Sequence, residues 1–157
     1  MTFEELNLKL EKLIGQTVSF KRLAGNALII YFFGEPGDDN VQSIFIETSW
    51  RFEQSGKVIV GSYDLQEDED EFETKEEVEQ AFRQRAALTQ SLVGATLHNV
   101  SVDFVSSDIT LAFSDEQIVK SFANSAFDDL CWTYRNRPEK LAVYASSLGL
   151  NAAIEDE

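Results

Sequence analysis

The chain opens with hydrophobic residues at helical spacing and soon changes to strand-like alternation. Thr2 and Glu5 form a capping-box pattern, in which each side chain accepts a hydrogen bond from the other residue's backbone N–H. A helix is therefore predicted to start at Thr2. It is predicted to end at Gly15, because glycine is typical of the position just past a helix. Its apolar stripe consists of Phe3, Leu6, Leu10, Leu13 and Ile14.

Four strands are predicted to follow in the first half, at 17–23, 27–33, 42–52 and 57–64. The segment 27–33 is apolar at every position, which predicts that both of its faces are covered. Along 42–52, alternation places Ile44, Ile46, Trp50 and Phe52 on one face. The same alternation predicts that Phe45, Glu47 and Arg51 share the opposite, outward face.

The second half repeats the first, which indicates an internal duplication. The capping signature recurs at Thr74, and the pattern Leu-hydrophobic-Gly-x-Thr at 13–17 recurs at 92–96. Trp50 is matched by Trp132. The offset grows from 79 residues at the glycines (15 to 94) to 82 at the tryptophans (50 to 132). Such a drift is expected after duplication followed by small insertions.

The second half is predicted to contain a longer helix and a less regular set of strands. The helix starts at Thr74, and its predicted buried side consists of Val78, Ala81, Phe82, Leu88 and Leu92. The predicted strands are 96–104, 108–113, 117–122, 130–135 and 140–146. The tail from residue 151 onward is predicted to be frayed.

Together these patterns predict one α+β domain of 157 residues. Two quasi-repeats, 2–64 and 74–148, each follow the order α-β-β-β-β. The acidic segment 65–73 joins them, because charges of one sign in close succession favour an exposed loop. The strands are predicted to form one or two antiparallel sheets, with the helices packed on the sheet faces. The pattern carries no signal for an oligomeric state.

The net charge is −15, from 28 acidic and 13 basic residues. Phosphate backbones and anionic lipid surfaces repel such a chain, so neither nucleic acid nor membrane is predicted as a partner. No apolar run approaches the length of a membrane span. The acidic N-terminal segment differs from a signal peptide, which predicts a cytoplasmic protein. The charge instead favours association with a basic protein partner.

The sequence contains no recognisable catalytic motif, so the chain is predicted not to be an enzyme, and its many carboxylates do not single out an acid–base pair. The single histidine, His98, and the single cysteine, Cys131, both fall in predicted strands. Their neighbours are apolar, which favours packing roles over a nucleophilic pair. Neither glycine-rich nucleotide-binding motif occurs. No cofactor is predicted.

The acidic segment matches a calcium-binding loop only in part. Asp68, Asp70 and Glu79 occupy the first, third and twelfth positions as such a loop requires. The fifth position is Phe72, which has no ligand oxygen, and the sixth is Glu73, where glycine is needed. No metal site is predicted.

Trp50-Arg51-Phe52, Leu-Ile-Gly-x-Thr-Val at 13–18 and the segment 56–64 (GKVIVGSYD) resemble small bacterial domains of unknown function. Some of these domains are immunity proteins of toxin systems. The resemblance covers mainly the first half and implies no catalytic residues.

The leading functional hypothesis is a non-enzymatic binding protein that engages a basic partner, for example as an immunity or inhibitor protein. The candidate partner-binding residues are Phe45, Glu47, Arg51, Glu67, Asp68, Asp70 and Glu71. The alternative is a small-ligand-binding or scaffolding module with a pocket between the two repeats.

Overall fold

A computed structural model describes residues 1–47, 49–65, 72–127 and 129–155. This part of the chain contains two α-helices and eleven strands, which confirms the α+β prediction. The helices are α1 (Phe3–Glu11) and α2 (Lys75–Ala87). The strands are β1 (Val18–Ala24), β2 (Ala27–Phe32), β3 (Gln42–Ile46), β4 (Trp50–Gln54), β5 (Lys57–Gly61), β6 (Leu97–Val102), β7 (Ile109–Phe113), β8 (Gln117–Ser121), β9 (Leu130–Asn136), β10 (Leu141–Ser146) and β11 (Gly149–Ile154).

The strands form two antiparallel sheets that enclose one hydrophobic core. Sheet A has the order β1-β2-β3-β9-β10-β11, and sheet B has the order β5-β4-β8-β7-β6. Each sheet thus combines three consecutive strands of one half with strands of the other half. All six residues of β2 are buried, as predicted from its continuous apolar run.

The predicted single strand at 42–52 is two strands in different sheets. β3 pairs with β2 and β9 in sheet A, whereas β4 pairs with β5 and β8 in sheet B. The chain crosses between the sheets after Glu47. Ile46 and Trp50 are both buried despite this crossing, because the interior of the sandwich lies between the two strands.

Backbone contacts where the sheets meet come in matched pairs. The Gly15 N–H donates to the carbonyl of Leu97, and the Gly94 N–H donates to the carbonyl of Val18, both at 2.8 Å. An isolated antiparallel bridge joins Thr17 to Thr96 between these bonds. Both glycines have a positive φ, 88° and 83°, a conformation that most other residues adopt only with strain.

The two tryptophans are also matched, and both are core residues as predicted. Trp50 is 2% exposed and Trp132 is 0% exposed. The Trp50 indole N–H donates to the carbonyl of Asn26 at 2.7 Å, and that of Trp132 donates to the carbonyl of Ser107 at 2.6 Å. Each tryptophan therefore fixes the turn of a hairpin from its own half.

The two helices differ in burial although both carry the predicted N-cap. The Thr2 hydroxyl accepts from the Glu5 N–H at 3.1 Å, and the Thr74 hydroxyl accepts from the Glu77 N–H at 3.2 Å. In α1 the leucines of the predicted stripe are buried, and the helix packs against β6. In α2 no residue is buried, and Leu88, which follows it, is 46% exposed.

The predicted buried side of the second helix is only partly buried: Val78, Ala81 and Phe82 are half-buried, and Phe82 packs against the main core. The prediction is wrong for Leu88, which is exposed, whereas Leu92 is buried in a 3-10 turn after the helix. The predicted packing of the helices on sheet faces is not confirmed. The predicted frayed tail is also wrong, because residues 149–154 form β11. Among the described residues, no helix combines the length and apolar character needed to cross a membrane.

Candidate functional site

A cleft of about 670 Å³ lies on the outer face of sheet A, across the junction of β3 and β9. This junction joins the two halves of the chain, so each half contributes part of the lining. We call it the seam cleft. It is lined by Tyr31, Pro36, Gly37, Asp39, Val41, Ser43, Arg135, Arg137, Lys140 and Glu155.

One wall of the seam cleft is the loop between β2 and β3, residues 33–41. Its shape is fixed internally, because the Asp38 carboxylate accepts a 2.8 Å hydrogen bond from the Glu35 N–H. Gly34 has a φ of 144°, and a Cβ there would lie 2.6 Å from the same carboxylate. The corresponding β7–β8 connection has only residues 114–116, so sheet B has no equivalent wall.

The second half contributes three cations to the cleft. The Arg135 Nε donates to Glu155 at 3.0 Å, and the Tyr144 hydroxyl donates to the same carboxylate oxygen at 3.4 Å. The Arg137 guanidinium donates to the carbonyl of Asp38 at 3.4 Å and lies 3.9 Å from the Asp39 carboxylate. With three cations and two carboxylates, this cleft carries a local positive excess in a chain of net charge −15.

Some polar groups that line the cleft are not hydrogen-bonded by the protein. Within the described ranges, no hydrogen bond or ion pair involves the Tyr31 hydroxyl, the Ser43 hydroxyl or the Lys140 ammonium. Tyr31 is 9% exposed and Ser43 is 8% exposed, and both line the cleft. Polar groups at the base of a pocket usually pair with water or with a ligand.

Under the cleft, a small apolar cluster on the outer face of sheet A supports its floor. Ile29, Tyr31 and Val41 form this cluster, and the half-buried rings of Phe20 and Phe45 pack against it. The Phe20 and Tyr31 rings meet edge to face, with centroids 5.7 Å apart. Phe45, predicted as an exposed partner contact, therefore also has a packing role beside the cleft.

The other predicted surface residues are not brought together. Phe45 lies on the outer face of sheet A, whereas Arg51 lies on the outer face of sheet B. Glu47 is half-buried just after β3, and burial raises the pKa of its carboxyl. Their expected common surface depended on a single strand at 42–52, which the crossing between sheets replaces. Their partner-binding role stays a prediction.

The remaining predicted partner-binding residues cannot be placed. Glu67, Asp68, Asp70 and Glu71 lie outside the described residues. Of the predicted loop 65–73, Leu65 is buried in a 3-10 turn, and Phe72 and Glu73 precede α2.

Trp132 and Trp50 are matched positions 82 residues apart. The same offset matches Arg135 on sheet A with Glu53 on sheet B. Glu53 Oε2 accepts from Arg51 Nε at 3.0 Å and lies 3.2 Å from Lys120 Nζ. The Glu53 side chain is 13% exposed. In this triad both cations contact one carboxylate on the outer face of sheet B.

The triad predicts a pH-dependent contribution to stability. The hydrogen bond from Arg51, reinforced by Lys120, lowers the pKa of Glu53 below its usual 4.5. A lowered folded-state pKa adds stability that is present above the unfolded value and lost as pH falls through the folded value. Glu53→Gln is expected to lower the free energy of unfolding by about 1 kcal/mol at pH 7. This loss should shrink as the pH falls below about 4.5.

Urea unfolding of the wild type and of the Glu53→Gln variant measures this loss at pH 7 and at pH 3. Glu116→Gln, an exposed substitution in the adjacent β7–β8 turn, is the matched control and should change little at either pH. A deficit of the Glu53→Gln variant that is the same at both pH values would contradict the assignment of this effect to charge.

The predicted packing role is confirmed for Cys131, which belongs to the core cluster, and is wrong for His98, which is exposed. His98 is the exposed extra residue of a bulge in β6. Cys131 is 9% exposed, and burial raises the pKa of its thiol. These two side chains lie in different sheets. Within the described ranges, no group of three or more His, Cys, Asp or Glu side chains is arranged to hold a metal ion.

Sequence reasoning missed the cations of the seam cleft. Their signal is present in the segment Arg135-Asn-Arg-Pro-Glu-Lys140, which has three basic residues in six within a strongly acidic chain. Comparison with protein-family models, curated proteins and solved structures finds no match for this chain.

Proposed function

We propose that this protein binds a small anionic ligand in the seam cleft, without catalysing a reaction. The observation that carries the proposal is the gathering of Arg135, Arg137 and Lys140 around one cleft of about 670 Å³. A volume of this size suits a metabolite-sized ligand. The long-range field of the protein repels anions, so this positive excess is local to the cleft.

The lining also favours a class of ligand. Guanidinium groups bind carboxylate and phosphate in a two-pronged geometry, and an ammonium binds them as a point charge. The unpaired hydroxyls of Tyr31 and Ser43 supply further polar contacts at the base. Val41 and the Tyr31 ring offer apolar area. The fitting ligand is therefore a compact molecule with a carboxylate or phosphate at one end and an apolar part.

A thermal-stability titration tests this proposal with a panel of dicarboxylates, aromatic carboxylates and phosphate monoesters. A ligand at 100 times its dissociation constant should stabilise the protein by about 2.7 kcal/mol. Arg137→Ala should weaken binding at least tenfold, because its guanidinium faces the cleft and has only long contacts within the protein.

Arg22→Ala is the matched control, since Arg22 is an exposed arginine on the same sheet that does not line the cleft. It should leave the stabilisation unchanged. The proposal would be overturned if no anion of the panel stabilised the protein. It would also be overturned if Arg137→Ala and Arg22→Ala reduced the stabilisation equally.

A second candidate function, binding of a basic protein partner, is favoured by the exposure of α2. This helix carries Glu76 and Glu77 in its first turn, and none of its residues is fully buried. It follows the acidic residues of the segment 65–73. A partner complex of this kind should weaken steeply with salt, and Arg137→Ala should leave it intact. The immunity-protein version is one form of this candidate.

We also propose that the two halves arose by duplication of one unit. This is supported by the matched bonds at the two glycines and at the two tryptophans. It is further supported by the register of the strand pairs that join the halves. Ile46 pairs with Trp132 in sheet A, and Ser121 pairs with Trp50 in sheet B. The seam cleft then lies at a difference between the copies, because its wall, the loop 33–41, has only a three-residue counterpart at 114–116.

A further inference from the structure

β11 is the outermost strand of sheet A, and it lies outside the matched arrangement of the two halves. No described strand pairs with its outer side. Of its side chains that share a face with the core residues of β10, Leu150 packs against the core, whereas Ala152 and Ile154, farther along the strand, are uncovered. Ile154 is 79% exposed and Ala152 is exposed, whereas Val143, the partner of Ala152 on β10, is 0% exposed. β11 therefore extends beyond the region that sheet B covers.

The other three edge strands of the two sheets are irregular. β1, β5 and β6 each pair with their neighbour through a register shift that leaves one extra residue in the edge strand, namely Ser19, Ile59 and His98. Bulges of this kind disfavour pairing with a strand of another molecule. By contrast, β11 pairs with β10 in unbroken register from Leu141↔Ile154 to Ser146↔Gly149.

The composition of β11 adds to this difference. Its six residues, Gly-Leu-Asn-Ala-Ala-Ile, include neither a charge nor a proline, although 26% of the chain is charged. Charged residues and prolines are the usual protection of an exposed edge. A regular, uncharged strand with a free edge is the structure that accepts another strand.

We infer that β11 pairs with β11 of a second copy of this chain to form a dimer. Antiparallel pairing of a strand with its own copy generates a twofold axis. With Ala152 on that axis, Leu150 of one copy lies opposite Ile154 of the other, and Asn151 lies opposite Ala153. Glu155 then lies opposite Gly149, so the pairing places no like charges opposite each other.

The resulting sheet would contain both copies of sheet A and would bury the exposed Ile154 side chains. The same net charge of −15 on each copy opposes association at low salt. Dimerisation should therefore strengthen as salt is added, in contrast to an acidic protein that binds a basic partner.

Sedimentation velocity over a range of protein and salt concentrations tests the inference with the purified chain. The wild type should show a monomer–dimer equilibrium that shifts toward dimer with salt. Ala152→Lys places two ammonium groups together at the axis and should raise the dissociation constant at least tenfold. Val58→Lys, on the bulged edge strand β5 where Val58 is 60% exposed, should leave it unchanged.

A crosslinking measurement tests the register. In a Cys131→Ser background, Ala152→Cys should form a disulfide between copies under mild oxidation, because opposed residues of a strand pair have nearby Cβ atoms. Val58→Cys in the same background should form no such disulfide. A wild type that stays monomeric at every salt and protein concentration would overturn the inference. A dimer that is insensitive to Ala152→Lys would overturn it equally, and circular dichroism of each variant confirms folding.

Discussion

Replacing Trp132 with phenylalanine is expected to lower the free energy of unfolding by about 3 kcal/mol. The side chain is fully buried, and its indole N–H donates a 2.6 Å hydrogen bond to the carbonyl of Ser107. Ser107 is itself 1% exposed, so water cannot replace the lost donor. Phenylalanine also leaves part of the indole volume empty. Urea unfolding followed by far-ultraviolet circular dichroism measures the loss.

Trp50→Phe supplies the matched comparison within the same chain. Its indole N–H also donates to a backbone carbonyl, that of Asn26, at 2.7 Å, but Asn26 is only half-buried. Water can then reach the abandoned carbonyl, and Trp50→Phe should cost about 1 kcal/mol less than Trp132→Phe. Equal losses, or a larger loss for Trp50→Phe, would contradict this account of the two tryptophans.

Positions 134 and 52 are matched core positions that carry tyrosine and phenylalanine. Tyr134→Phe is expected to lower the free energy of unfolding, and Phe52→Tyr is expected to raise it. The Tyr134 hydroxyl donates to Gln42 Oε1 at 2.7 Å and accepts from Asn136 Nδ2 at 3.1 Å. Burial raises the pKa of Tyr134 to about 12, so it remains a donor at neutral pH. Tyr134→Phe leaves both partners unpaired and should lower the free energy of unfolding by about 1–2 kcal/mol.

On sheet B, Phe52 takes the place of Tyr134, and Gln117 takes the place of Gln42. The Gln117 side chain is 1% exposed, and its Oε1 has no hydrogen-bond partner among the described residues. Phe52→Tyr places a hydroxyl toward that oxygen, as in the matched pair. We expect it to raise the free energy of unfolding by about 1 kcal/mol, measured by urea unfolding.

A double-mutant cycle with Gln117→Met identifies the cause. In that background the new hydroxyl has no acceptor, so Phe52→Tyr should be neutral or destabilising. A gain of the same size in both backgrounds would show that the stabilisation does not come from a hydrogen bond to Gln117.

Local features of the fold could be predicted because nearby residues determine them. The cap at Thr2 needs only Glu5, three residues away, and the glycines after the helices need only a positive φ. The tryptophans could be assigned to the core because each lies on the apolar side of an alternating segment. The complete burial of β2 followed from its composition.

The division of 42–52 into two strands could not be predicted from alternation. Ile46 and Trp50 point into the same interior from different sheets, and a pattern of period two does not record a change of sheet. The low burial of α2 was equally hidden, because Val78 and Phe82 have the spacing of a buried stripe. Only the neighbours that a helix meets decide whether its stripe is covered.

The seam cleft was beyond prediction for a related reason. Tyr31 and Arg135 are far apart in sequence, and they become neighbours only through the pairing of β3 with β9. The candidate surface at Phe45 was identified correctly as outward on its own strand. The alternation pattern does not show that β9 is the partner strand of β3, and it is β9 that brings the cations beside Phe45.

The exchange of strands between the halves constrains when the chain can fold during synthesis. β4 and β5 leave the ribosome early, yet their sheet is completed only by β8, which is made much later. β3 likewise cannot pair on its second side until β9 has been synthesised. Neither half can complete a sheet from its own strands, so the β4–β8 pair must follow synthesis of β8 and the β3–β9 pair must follow synthesis of β9. Until then, β3 and β4 both present unpaired edges, and this protein should depend on protection from aggregation during translation more than a protein of two independent repeats.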